Sequence, residues 1–218
     1  MANHHMDVKI CGLKTPEAIA ATAAAGASHI GLNFFPPSPR AVTPEEAAEL
    51  VRHVPAGMKV VALMVDADDA LLDAVWAAAH PAIFQLHGKE TPERVREIKQ
   101  RYGAQVMKVI RVAEAADARA AEAFDGVADL ILFDAKPPKD KDKLPGGNGL
   151  IFDWTALKAY RGKTPWMLAG GLDARNVAEA IRVTGAQAVD TASGAEDAPG
   201  VKNPEKIRAF VSAALQAD

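Results

Sequence analysis

Four times in this chain a capping side chain, a proline and an acid follow one another: Thr15-Pro16-Glu17, Thr43-Pro44-Glu45, Thr91-Pro92-Glu93 and Asn203-Pro204-Glu205. Each reads as a helix start. The Thr or Asn side chain accepts a hydrogen bond from the first turn, and proline suits the first helical position, where no N–H partner is needed. The acid meets the positive end of the helix dipole. Thr43 with Glu46 also completes a capping box. Each start follows a short apolar run after a brief loop, so the repeating unit is strand, loop, helix. On this reading strands fall near residues 8–11, 29–34, 59–65, 82–87, 105–111, 130–134, 166–169 and 188–192. The seven intervals each hold a helical stretch, such as 70–79 or 176–184, and a helix over 204–215 follows the last strand.

Alternation of this kind calls for parallel strands joined by right-handed crossovers, and eight such units close most naturally into a single compact (β/α)8 TIM barrel. The rival is an open doubly wound sheet, but no G-x-G-x-x-G follows the first strand. At 218 residues, 49% hydrophobic and 24% charged, the chain can bury a large core, and no linker or composition shift divides it. The expectation is one domain over residues 1–218, with 1–6, including His4 and His5, a mobile N-terminal tail rather than a metal site. A net charge of -3 without a basic face argues against nucleic-acid binding and leaves small molecules as the expected ligands. The single cysteine excludes an internal disulfide and a multi-cysteine zinc site. The N-terminal MANHHMD has no apolar signal core, and no apolar run approaches membrane-spanning length. The expected location is the cytoplasm, and the expected state a monomer.

A barrel carries its chemistry at the C-terminal ends of its strands. Strand parity puts Lys9 and Cys11 on one face of the first strand and Leu130, Leu132 and Asp134 on one face of the sixth. A lysine is a poor partner for the outer helices, and an unpaired carboxylate beneath them is costly, so Lys9, Cys11 and Asp134 are expected to face the interior or the mouth. After strands seven and eight come LAGGLDARN and TASGAEDAPG, containing Gly170, Gly171, Ser193 and Gly194. Two glycine-rich loops on neighbouring strands expose backbone N–H groups where barrels often bind phosphate, so a phosphorylated small molecule is the expected ligand. A third glycine loop, PGGNG at 145–149, is a candidate flap.

The motifs KICGLK, NFFPPSPR, QLHG, FDA, GGNGLIFDW, LAGGL and VDTASGAE through PGVKN occur in order over almost the whole chain. Together they resemble the phosphoribosylanthranilate isomerase family of tryptophan biosynthesis. The resemblance implies an Amadori rearrangement of N-(5-phospho-β-D-ribosyl)anthranilate to 1-(2-carboxyphenylamino)-1-deoxy-D-ribulose 5-phosphate, with no cofactor or metal. It assigns Asp134 as general acid for opening the furanose ring and Cys11 as general base at C2. Arg40 is the contact for the anthranilate carboxylate, a planar anion suited to a guanidinium fork. His87 has a place near the substrate. The remaining alternatives are a related barrel sugar-phosphate isomerase or epimerase, and a non-catalytic barrel that binds phosphorylated ligands.

A free thiol is mostly protonated near neutrality, so a nearby cation is expected to lower the pKa of Cys11, with Lys9 one candidate. Asp190, on the strand beside the first, could instead engage Lys9. Three positions depart from the family pattern: Lys14, Asn148 and the pair Thr191-Ala192. Ala192 removes one possible hydroxyl from the phosphate site, leaving that contact to the backbone and Ser193.

Overall fold

The computed structural model describes residues 6–136 and 151–217. Eight parallel strands, β1 (Asp7–Cys11), β2 (His29–Asn33), β3 (Lys59–Met64), β4 (Ile83–Leu86), β5 (Gln105–Val112), β6 (Leu130–Ala135), β7 (Trp166–Leu168) and β8 (Ala188–Thr191), close in chain order, with β8 against β1. This is the barrel expected from the alternation. Each strand lies within about a residue of its sequence-based position at either end. The outer layer holds α1 (Pro16–Ala24), α2 (Pro44–Leu50), α3 (Asp69–Ala79), α4 (Pro92–Tyr102), α5 (Ala115–Arg119), α6 (Val177–Thr184) and α7 (Pro204–Leu215).

The four repeated helix starts form as their chemistry dictates. Thr15, Thr43 and Thr91 each accept from the backbone N–H three residues on, Glu46 closes the capping box, and Asn203 accepts from Glu205 and Lys206. Two expectations need correction. The described part of the interval between β6 and β7 holds only a 3₁₀ helix, Trp154–Ala159, started by the Asp153 side chain, instead of an α-helix. Met6, assigned to the tail, is buried in the core. Residues 1–5, with His4 and His5, and the PGGNG loop lie outside the described residues.

Alternation divides the apolar residues between two packing clusters. The larger, including Val8, Ile10, Ile131, Phe133 and Val189, lies between the sheet and the helices. The smaller, with Val61, Ile83, Met107, Val109, Leu132 and Met167, fills the barrel interior. Leu132 belongs to the interior set, so Asp134, two residues on, faces inward at the mouth, as parity predicts. A short antiparallel pair, β9 (Glu196–Ala198) and β10 (Val201–Lys202), is inserted between β8 and α7. Among the described residues no helix is long and apolar enough to cross a membrane.

Candidate active site

The mouth encloses an open pocket of about 660 Å³. Cys11, Arg40, His87, Asp134, Gly170, Gly171 and Ser193 all line it, brought together from six strand ends. Gly194 follows directly in a short 3₁₀ turn, Ser193–Ala195.

Lys9 and Cys11 point into the barrel because they share the inward face of β1, opposite Val8 and Ile10. Their neighbour on β2 is Gly31. A Cβ there would stand 2.8 Å from the Cys11 sulfur and 3.2 Å from Lys9 Cε, so the missing side chain makes room for both. Lys9 Nζ donates to Asp190 Oδ1 at 2.8 Å, wholly buried. Burial alone would depress the Lys9 ammonium, but Asp190 and then Cys11 outweigh it and hold its pKa above the ordinary lysine value. The two arrangements left open by the sequence therefore coexist: Lys9 is paired with Asp190 and also acts on the thiol.

The expected lowering of the thiol does not occur. Burial is the largest influence on Cys11 and pushes it up; Lys9 and Lys202 pull it down, while Asp190 adds to the rise. Desolvation wins, leaving a neutral thiol at the pocket. Across the mouth, Asp134 Oδ1 accepts from the Ala135 N–H at 2.9 Å, and Oδ2 lies 3.3 Å from His87 Nε2. That approach misses hydrogen-bond alignment, so His87 Nε2 and Asp134 are in contact without being locked together. Arg111, beside Asp134 in the register, donates to the His87 carbonyl at 2.8 Å and fixes the backbone at the end of β4.

Arg40 reaches the pocket through the loop after β2. Asn33 Nδ2 donates to the Ser38 hydroxyl, which also accepts from the Arg40 N–H, so the loop carrying NFFPPSPR is fastened at both ends. The side chain passes over Gly12, where a Cβ would approach Arg40 Cδ to 2.7 Å and the backbone φ of 79° favours glycine. The guanidinium makes a two-point pair with Glu196, Nε to Oε1 at 2.8 Å and Nη2 to Oε2 at 2.7 Å. Sequence reasoning assigned no role to Glu196, Lys202, Gln85 or Arg111. Gln85 lines the pocket with a buried Oε1 that has no protein partner among the described residues. Glu196 and Lys202 lay within a quoted motif, which was the one signal the sequence offered; their burial and pairing show only in the fold.

The two glycine loops are tied to each other, since Thr191 Oγ1 donates to the Leu172 carbonyl at 2.7 Å. A Cβ at Gly194 would stand 2.1 Å from that same oxygen, and one at Gly170 2.7 Å from the Ala135 nitrogen. Asn176 braces the first loop by donating to Gly171 O and accepting from Asp173 N–H. Among the described residues no backbone carbonyl accepts from the N–H of Gly171 or Leu172. The cradle thus has rigid walls, glycine at its close approaches and donors available to an anion.

The family model for N-(5'-phosphoribosyl)anthranilate (PRA) isomerase matches residues 8–213. The N-(5'-phosphoribosyl)anthranilate isomerase of Parvibaculum lavamentivorans is 57% identical over 213 residues, covering 97% of this chain and 99% of the relative. That of Paramagnetospirillum magneticum is 54% identical over 209 residues, with 96% and 97% covered. Among solved structures, phosphoribosyl anthranilate isomerase from Thermotoga maritima superposes with a TM-score of 0.84 at 31% identity, covering 96% of this chain and 98% of the other. A phosphoribosyl anthranilate isomerase in complex with reduced 1-(o-carboxyphenylamino)-1-deoxyribulose 5-phosphate gives a TM-score of 0.81 at 29% identity, with the same coverage. With its fold, its ordered motifs and nearly its whole length matched, the chain belongs to the N-(5'-phosphoribosyl)anthranilate isomerase family.

Proposed function

We propose that this chain catalyses the isomerisation of N-(5-phosphoribosyl)anthranilate in tryptophan biosynthesis, with Asp134 as general acid and Cys11 as general base. The observation that carries the assignment is the placement of these two proton-transfer groups on β6 and β1, facing one pocket beside a glycine-built anion cradle.

The reaction needs one proton shared between two sites. Asp134 gives its proton to the ring oxygen as the nitrogen lone pair forms a C1=N⁺ bond and the C1–O bond breaks. The Cys11 thiolate then takes the C2 proton, and the C2–H electrons form the C1=C2 bond of an enolamine while the nitrogen regains its lone pair. Return of a proton to C1 and loss of the enol proton give the ketone. Turnover needs the proton on the carboxyl and off the sulfur, so one proton passes from the resting Cys11 thiol to the Asp134 carboxylate before the ring opens, and the first two steps reverse that distribution. Burial disfavours the thiolate, so the passing iminium cation, together with Lys9 and Lys202, is what stabilises it during turnover. The substrate nitrogen is the electron sink, and the chain's own task is to position, exclude water and move protons.

Arg40 receives the anthranilate carboxylate, His87 contacts the substrate near the ribose, and Gly170, Gly171, Ser193 and Gly194 form the phosphate cradle. The proposal carries with it the sequence-based expectations of a monomer that acts in the cytoplasm. Mixing the protein with freshly prepared phosphoribosylanthranilate should abolish the substrate's fluorescence. A related sugar-phosphate isomerase, or a barrel that only binds, would leave it. Asp134→Asn should lose turnover by on the order of 10²- to 10⁴-fold while still binding the reduced product analogue. Strongly weakened binding with turnover intact would make Asp134 a positioning residue.

A further inference from the structure

Most polar side chains that line the mouth are engaged by the protein itself. Asn33 donates to Ser38 and accepts from the Phe35 N–H, Arg40 is paired with Glu196 and Asp190 with Lys9. Thr191 donates to the Leu172 carbonyl, and Asp134 accepts from the Ala135 N–H. Gln85 is different. It lines the same pocket with only 1% of its surface exposed, and its Oε1 has no hydrogen-bond partner among the described residues. Its place in the sheet explains why. In register it is flanked by Leu63 on β3 and Met107 on β5, and neither side chain carries a donor. Ile83, two residues below it on β4, belongs to the apolar filling of the barrel. A buried carbonyl oxygen without a partner costs free energy that an apolar side chain of the same shape would not. Such an oxygen suits a ligand that brings its own donor.

The chemistry of the substrate narrows the choice of donor. Its carboxylate and phosphate are acceptors and have Arg40 and the glycine cradle. The donors that remain are the N–H and the sugar hydroxyls at C2 and C3. The N–H lies beside the ortho carboxylate of its own ring and bonds to it internally. The C2 hydroxyl becomes a carbonyl oxygen in the product and would then meet Gln85 Oε1 acceptor to acceptor. The C3 hydroxyl takes no part in the rearrangement and stays a donor from substrate to product.

We propose that Gln85 is a specificity-determining residue, whose amide oxygen accepts a hydrogen bond from the C3 hydroxyl of the sugar. The proposal rests on the reading of the pocket as a site for N-(5-phosphoribosyl)anthranilate and names a further contact within it. An analogue with hydrogen in place of that hydroxyl is rejected, because it fills the pocket and leaves the buried oxygen unpaired.

The test compares the reduced product analogue with its counterpart lacking the C3 hydroxyl. The wild type should bind the parent compound about tenfold or more tightly than the deoxy compound. Gln85→Met keeps an unbranched side chain of similar length and removes the amide, so the ratio of the two dissociation constants should fall towards one. The ligand-free variant should be at least as stable in denaturant as the wild type, since an unpaired acceptor has been removed. A group that only supports the fold would do the opposite, lowering stability and leaving the ratio alone. Gln85→Leu repeats the measurement with a second apolar side chain. A ratio near one in the wild type, a ratio unchanged in both variants, or failure of both variants to fold overturns the proposal. If the parent analogue does not bind the wild type, the functional reading itself fails, and the inference with it.

Discussion

The inside of this barrel has two unlike sides. On β1, β2 and β8 the inward positions include Lys9, Cys11, His29, Gly31, Asn33 and Asp190. On β3 to β7 they include Val61, Leu63, Ile83, Met107, Val109, Leu132 and Met167. The first side holds its charges only because they are matched, as in the fully buried Lys9–Asp190 pair; removing one partner of such a pair typically costs about 3–5 kcal/mol. The second is apolar through its middle, with Lys59 and Gln105 at the base and Gln85, Arg111 and Asp134 toward the mouth, and in that middle close packing sets stability. The base stands on the charged side and the acid at the rim of the apolar side. The contrast suggests a division of labour: one side tunes a proton site, and the other holds the cylinder around it.

The sharpest way to break that division is Cys11→Ser. A serine hydroxyl is too weak an acid to serve, so kcat should fall on the order of 10²- to 10⁴-fold with stability and ligand affinity retained. Near-normal turnover in the folded variant would make the sulfur mere filling. On the other side, Met107→Ala should do the reverse: unfolding in denaturant should show a loss of about 2–5 kcal/mol, while the folded protein keeps its kcat. A catalytic defect without a stability defect there would erase the distinction.

A third test concerns His29, low on the charged side. Burial, aided by Lys59 and Lys9 and opposed by Asp7, lowers its pKa to about 4 from an ordinary 6.5. The folded state then binds fewer protons than the unfolded one between these values. Its contribution is complete above about pH 6.5 and disappears as the pH falls towards 4, a loss on the order of 3 kcal/mol. Denaturation midpoints across that window should decline, and His29→Gln should flatten the decline; an equally steep profile in the variant would place the titrating group elsewhere. The smallest effect is expected from Arg40→Ala, which should raise KM by the equivalent of about 1.5–3 kcal/mol with kcat less affected. A loss confined to kcat would show that the guanidinium acts on the transition state instead of the carboxylate.

The strands and the four proline helix starts were legible because they depend on local chemistry, namely period-two alternation and a cap followed by proline. Lys9, Cys11 and Asp134 were legible as inward-facing residues for the same reason. The partnership of Arg40 with Glu196 was not: the two are 156 residues apart, and only closure of the barrel brings them together. The direction of the Cys11 shift was misread because charge neighbours can be guessed from parity, whereas the depth of burial that outweighs them cannot. The 3₁₀ segment after β6 was taken for α-helix because a run such as WTALKA has the composition of either.

Gly31 bears on how this site could be altered. A lysine and a cysteine two residues apart on one strand crowd the same sector of the cylinder, and the adjacent strand answers with no side chain at all. Any replacement there would press on the ion pair and the thiol together, so fold and turnover would decline in step, leaving no compromise for selection or an engineer to exploit. Remodelling of the substrate range has more freedom two strands away at Leu63 and Val65, which line the pocket without being paired to β1.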